Sequence, residues 1–265
     1  MIAMITEIFF LKVIVSILTV FALAVIAQKV SPKLAGMIAG YPTGTAISLF
    51  FFGLEISPQF ASDSVAYNLI GVVATQIFVY FYYRSTLLFQ KNAIFYSVII
   101  SLLSYFTALY LLSFIHADLF IAVLLVSAST LFFIYMFRKL KEVKIEDKIK
   151  VGTHHLFAKA LAATVIIIFI TEIAKFVGPT WAGLFSSAPS TLLPLILIVH
   201  LTYKKEHVHS LIKNVPIGYI TLISYSLVVS FFYPAYGVYI GTLISLIIAT
   251  LVSILVLSFS RHGNS

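Results

Sequence analysis

The sequence predicts an all-α polytopic membrane protein: nine transmembrane helices arranged as two inverted-topology repeats of four around one linking span (4+1+4). Three observations predict it: the amount of apolar sequence, the sidedness of the cations, and an internal repeat. Of 265 residues, 61% are hydrophobic and only 10% are charged. Mean hydropathy is +1.09. A typical soluble domain carries about 25% charged residues, so one soluble core of this length has no place for so much apolar surface. The apolar runs are continuous rather than alternating, which excludes a transmembrane barrel.

A span needs about 20 apolar residues. Reading the runs between polar breaks places spans near 7–28, 34–54, 66–83, 93–115, 119–137, 156–175, 181–202, 214–232 and 238–259. The 17 cations divide unevenly among the loops. Fourteen follow spans 1, 3, 5, 7 and 9, from Lys29 and Lys33 to Arg261, and six of these crowd the 138–150 loop. Only Lys175 falls on the other side, and Lys12 and Lys159 lie inside spans. Cytoplasmic loops carry the excess of Lys and Arg. The expectation is therefore a cell-membrane protein with its N-terminus outside and its C-terminus in the cytoplasm. The net charge of +8 reports topology, and with no nucleic-acid-binding fold to display it, nucleic acid is not an expected partner. The lipid bilayer is, and the 138–150 loop suits anionic headgroups. The opening MIAMITEIFF has no Lys or Arg and carries Glu7. It lacks the basic start of a signal peptide, so the first span is expected to stay in the mature chain.

Residues 30–45 (VSPKLAGMIAGYPTGT) align without a gap on 177–192 (VGPTWAGLFSSAPSTL), at an offset of 147. Identical pairs are Val30/Val177, Pro32/Pro179, Ala35/Ala182, Gly36/Gly183 and Pro42/Pro189, and the same offset aligns Lys12 with Lys159 and Ile70-Gly71 with Ile217-Gly218. Spans 1–4 then match spans 6–9. An offset of five spans is odd, so the copies run in opposite directions across the membrane, a common plan of secondary transporters. This divides the chain into repeat 1 (1–115), a linking helix with its basic loop (116–152) and repeat 2 (153–265).

An early Lys followed by SPxLAG and AGxP resembles the GlpM-like family of small membrane proteins. That resemblance implies units of about four spans, about half this chain, here fused in two inverted copies through span 5. It covers one motif in each half and implies architecture rather than an activity.

Pro42 interrupts the middle of span 2, between Gly40 and Gly44. Pro189 interrupts span 7 at the matching place, among Ser186, Ser187, Ser190 and Thr191. A mid-helix proline removes a hydrogen bond and clashes with the preceding turn. Backbone freed at this depth needs protein partners or a water-lined cavity. The second half-helix also presents free N–H groups with partial positive charge. Inversion would bring these two N-termini together near the midplane, where Gly40, Tyr41, Pro42, Thr43, Gly44, Thr45, Ser186, Ser187, Pro189, Ser190 and Thr191 form a candidate substrate site. The plainer reading is a kink: Gly36, Gly40 and Gly44, matched by Gly183, Ser187 and Thr191, make small-residue ridges suited to a tight crossing of spans 2 and 7.

Lys12 and Lys159 either snorkel to the headgroups or line an approach to that site, one from each face. Glu172 and Lys175 are three apart and share a helix face. They read as an ion pair near the outer interface, or Glu172 as the coupling site of a transporter. Asn68, Gln76, Ser101, Ser104, Ser224 and Ser226 are polar residues in spans 3, 4 and 8, although serine in a membrane helix often bonds its own backbone. Tyr80, Tyr82, Tyr83, Tyr233, Tyr236 and Tyr239 read as interfacial anchors. There is no cysteine, no HExxH and no phosphate loop, so no metal, no cofactor and no enzyme chemistry are expected. The leading expectation is a small secondary transporter or facilitator for an anionic or polar small solute or ion. The alternatives are a passive ion channel, or a lipid-handling or envelope-assembly protein. A homodimer is compatible with any of these.

Overall fold

The computed structural model describes residues 2–143 and 153–262. All of the regular structure in that part is helical: α1 (Ile2–Lys29), α2 (Pro32–Ala39), α3 (Thr43–Glu55), α4 (Pro58–Leu88), α5 (Ala93–Leu112), α6 (Leu119–Phe137), α7 (Thr153–Ser186), α8 (Leu192–Thr202) and α9 (Lys205–His262). Six helical segments among the described residues are long and apolar enough to cross a membrane.

Helix starts follow local chemistry. Ser31 and Ser57 cap α2 and α4, each with proline at the first helical position, and their side chains accept from Leu34 N and Phe60 N. Asp118 caps α6 through Ile121 N. The Ser57–Pro58 start places the beginning of α4 two turns before the apolar run at 66, because polar residues such as Gln59 and Asp63 continue the helix beyond its hydrophobic part. The loops expected between spans 6 and 7 and between spans 8 and 9 shrink to single residues, Gly178 and Gly237. Each has φ above +70° inside an otherwise helical stretch, a conformation open to glycine and costly for other residues. At Gly237 the chain folds back: Gly241 packs on the backbone of Phe232 and the Tyr233 ring, and the hydroxyls of Tyr233 and Thr242 lie 2.6 Å apart.

The broken pair α2–α3 is the centre of the molecule, with 78% of its apolar window buried, followed by α4 at 67%. α5 and α6 are only 28% and 22% buried. They present Leu103, Phe106, Leu124 and Leu131 outward, as helices facing lipid would.

Close packing runs along two glycine seams. A Cβ on Gly36 would strike the Leu211 carbonyl, and one on Gly183 would strike the Ser64 carbonyl. Gly40 meets Val215 and Gly218 of α9, while Gly71 of α4 meets Leu184 and Ser187. Each contact is the other displaced by 147 positions. Gly36 and Gly40 therefore pack on α9 and Gly183 and Ser187 on α4, while Gly44 packs on Ser190 and Thr191, the contact of spans 2 and 7 that the sequence reading expected of the ridges. Spans 2 and 7 meet at their helix breaks, where Thr45 Oγ1 also donates to the Ser186 carbonyl.

Candidate functional site at two facing helix breaks

The two breaks are built alike. α2 ends at Gly40, and α3 restarts after Tyr41 and Pro42. Thr43 N donates to Tyr41 O at 2.7 Å and Ala46 N to Pro42 O at 2.6 Å. In the other half, Ser190 N donates to Ala188 O at 2.6 Å and Leu193 N to Pro189 O at 2.9 Å. These are the same bonds at the offset of 147. Ser31, Ser57 and Asp118 cap α2, α4 and α6 through their side chains, but Pro42 and Thr191, which cap α3 and α8, supply no side-chain cap, and neither does Asn92 before α5. First-turn N–H groups of a helix have no partner inside it, and here no side chain takes that place.

The breaks share a cavity of about 30 Å³, room for a small ion or one or two waters. Of the residues singled out in the sequence, Tyr41, Pro42, Gly44, Thr45, Ser187, Pro189 and Thr191 line it. Gly40, Thr43, Ser186 and Ser190 stand behind the lining. Gly40 holds the break against α9, and Thr43 Oγ1 donates to Tyr41 O at 3.4 Å. The Ser186 carbonyl accepts from Thr45 Oγ1 at 3.3 Å, and Ser190 Oγ packs on Gly44. No charged side chain is among the lining residues.

Sequence reasoning missed Thr75 and Tyr219. Thr75 Oγ1 donates to the Ser187 carbonyl at 2.7 Å, tying α4 to the second break. Tyr219 lines the cavity from α9 and is 3% exposed, yet its hydroxyl has no hydrogen-bond partner. Their intervals give no signal, because both sit in ordinary apolar helix. Asn68 stabilises the site from behind: Nδ2 donates to Ser186 Oγ at 2.8 Å, while Oδ1 accepts from Ser226 Oγ at 3.0 Å. Gln76 instead joins α4 to α6 through Ser129 and Thr130. Ser101, Ser104 and Ser224 bond carbonyls of their own helices.

Lys12 is not at this cavity. Its full burial rules out snorkelling, and it is absent from the cavity lining. It is fully buried, 2.7 Å from Glu55 and 2.8 Å from Glu172, with its ammonium 5.4 Å from the centre of the Phe51 ring. Lys175 completes the cluster, at 2.8 Å from Glu172 and 3.3 Å from Glu55. Glu55, at the last turn of α3, is the member the sequence reading did not weigh. Two cations against two carboxylates leave no net charge to attract an anion. The side chain of Lys159 lies outside the described residues. Among the described residues no group of three His, Asp or Glu is placed to hold a metal.

No family model, curated protein or solved structure matches this chain.

Proposed function

We propose that the protein is a small secondary transporter or facilitator that moves an anionic or polar small solute by alternating access around the breaks before α3 and α8. The observation that carries this reading is the shared cavity between two helix N-termini without side-chain caps. Free N–H groups and the helix dipole favour an anion there. The Tyr219 hydroxyl adds an unpaired donor, and an unpaired buried polar group is costly unless something binds it. With no cation in the lining, a small monovalent anion or a neutral solute suits the cavity better than a dianion, whose desolvation would go uncompensated.

The inverted nine-span plan belongs to this reading and has its own support. The 58 residues of α9 would be about 87 Å long if straight, nearly three times the hydrocarbon thickness, and the corner at Gly237 divides them. The chain breaks at 30–31, 40–42, 56–57 and 89–92 recur 147 positions later at Gly178, 187–189, 203–204 and Gly237. The outside N-terminus, the cell-membrane location and the likeness to two fused GlpM-like units are parts of the same proposal. Glu172 is the coupling candidate. At 40% side-chain exposure it is the cluster's most accessible carboxylate, and its protonation would loosen the hold on Lys12.

The test is thermal unfolding of detergent-purified protein against sodium fluoride, chloride, nitrate and formate, with glycerol and urea as neutral solutes. A ligand of the folded state adds about 2.7 kcal/mol at one hundred times its Kd. At least one solute should give a saturable rise that Tyr219→Phe reduces. No saturable rise with any of them, or one that Tyr219→Phe leaves unchanged, contradicts the site.

A further inference from the structure

A second concavity lies away from the breaks. A groove of about 1010 Å³ opens on the outside of the bundle, between the start of α5 and the junction of α8 with α9. This is at the upper end of the range of about 300–1,000 Å³ seen for ligand pockets. Its long wall is apolar, formed by Phe95, Val98, Ile99 and Leu201. Phe95 and Leu201 are each more than 60% exposed, so this wall faces the surroundings of the bundle and not its core. One end is polar and basic. Lys204 and Lys205 stand there with Gln90 and Asn92, and Glu206 is the single acid in the lining. Neither lysine is ion-paired among the described residues.

The architecture does not require this gap. At the offset of 147, His200 corresponds to Gly53, and Lys204 and Lys205 to Ser57 and Pro58. On that side Gly53 is closely packed: a Cβ there would come within 2.6 Å of Val238 Cγ2 and 3.3 Å of the Tyr233 ring. The groove therefore combines an open volume, an apolar wall exposed to the surroundings of the bundle, and two cations without an ion pair among the described residues, where the equivalent positions are Ser57 and Pro58.

We propose that this groove binds one anionic phospholipid, its acyl segment along Phe95, Ile99 and Leu201 and its phosphate at Lys204 and Lys205. Apolar walls exclude a free hydrated anion as the main occupant, whereas the cations select headgroup charge. Juxtamembrane lysines attract anionic lipid. His200 forms part of the lining and lies 2.9 Å from the Tyr82 hydroxyl, so the occupied groove borders α8, one of the two broken helices. The binding does not depend on the transport reading.

The experiment compares retention of phosphatidylglycerol and phosphatidylcholine by native mass spectrometry, and thermal midpoints with each lipid, for the purified full chain. Each lysine near an anionic lipid is worth about fivefold in binding. Lys204→Gln/Lys205→Gln should therefore reduce the preference for phosphatidylglycerol about 30-fold. Ile99→Trp, which fills the groove and keeps both charges, should reduce retention of both lipids. Lys139→Gln/Lys141→Gln, on the same side but outside the groove, should change neither. Inorganic phosphate alone should not shift the midpoint. The proposal is overturned if the 204/205 variant keeps its preference, if the 139/141 variant loses it equally, if Ile99→Trp retains lipid as wild type does, or if phosphate alone reproduces the shift.

Discussion

α3 and α8 occupy equivalent places in the two halves, begin at matching breaks, and share one cavity, but their far ends differ. α3 ends at Glu55, held by Lys12 and Lys175, with Gly53 packed on Val238 and Tyr233. α8 ends at Thr202, beside an open groove, with His200 bonded to Tyr82. At the offset of 147, Glu55 becomes Thr202 and Glu172 becomes Val25. The charged clasp is therefore encoded on one side only. Matching breaks with unlike far ends make the two halves unequal around one centre. They also place the charge at the periphery and leave the centre neutral.

Breaking the clasp should have the largest effect. Lys12→Ala leaves two carboxylates around a buried void. Removing one partner of a buried ion pair costs about 3–5 kcal/mol, so a large drop in midpoint is expected by differential scanning calorimetry. Lys12→Met combined with Glu55→Gln should recover most of it, because the pair Glu172–Lys175 remains. If the double variant is no better than the single one, the clasp is not an ion-pair device.

The glycine seams sharpen the equivalence of the halves. Gly36→Ala and Gly183→Ala both drive a methyl into a backbone carbonyl that cannot move aside like a side-chain end. Each should cost about 1–3 kcal/mol by overpacking, and chemical unfolding should give similar values for the two. A large cost in one and none in the other would show that the halves pack differently.

Smaller effects follow at the accessible acid and at the central hydroxyl. Glu172→Gln removes a carboxylate that is 40% exposed, and solvent screening limits the loss of stability to about 1 kcal/mol or less. Its larger consequence should be in the pH dependence of flux, measured in proteoliposomes, if Glu172 carries the coupling proton. Tyr219→Phe removes a hydroxyl without a partner. Without solute it should leave stability unchanged or slightly raised, while lowering the response to the solute that binds.

The breaks were legible in the sequence because proline and clustered small residues at mid-span leave a local mark, repeated at 147. The start of α4 was missed, because the apolar run begins only at 66 while the Ser57–Pro58 cap opens the helix through its polar first turns. Gly178 and Gly237 were missed too, since a one-residue corner leaves the apolar run almost unbroken; only the nearby Pro179 and Pro234 hint at it. Lys12 was visible as an anomaly but its partners were not, because Glu55 lies 43 positions away and Glu172 160, and periodicity reports nothing at that range. Tyr219 was invisible for a related reason: a tyrosine among apolar residues signals neither a cavity nor a missing partner.

Flux through a locked molecule tests the central claim most directly. The chain has no cysteine, so Gly53→Cys/Val238→Cys introduces one pair, at the contact of α3 with α9 beside Glu55. Proteoliposomes holding this variant and loaded with fluoride, chloride, nitrate or formate are compared oxidised and reduced. Alternating access around the two breaks predicts saturable efflux of at least one of these anions from the reduced protein, its arrest on cross-linking, and its return on reduction. Efflux that continues at the same rate through verified cross-linked protein would contradict the account, as would no efflux of any of the four from the reduced protein.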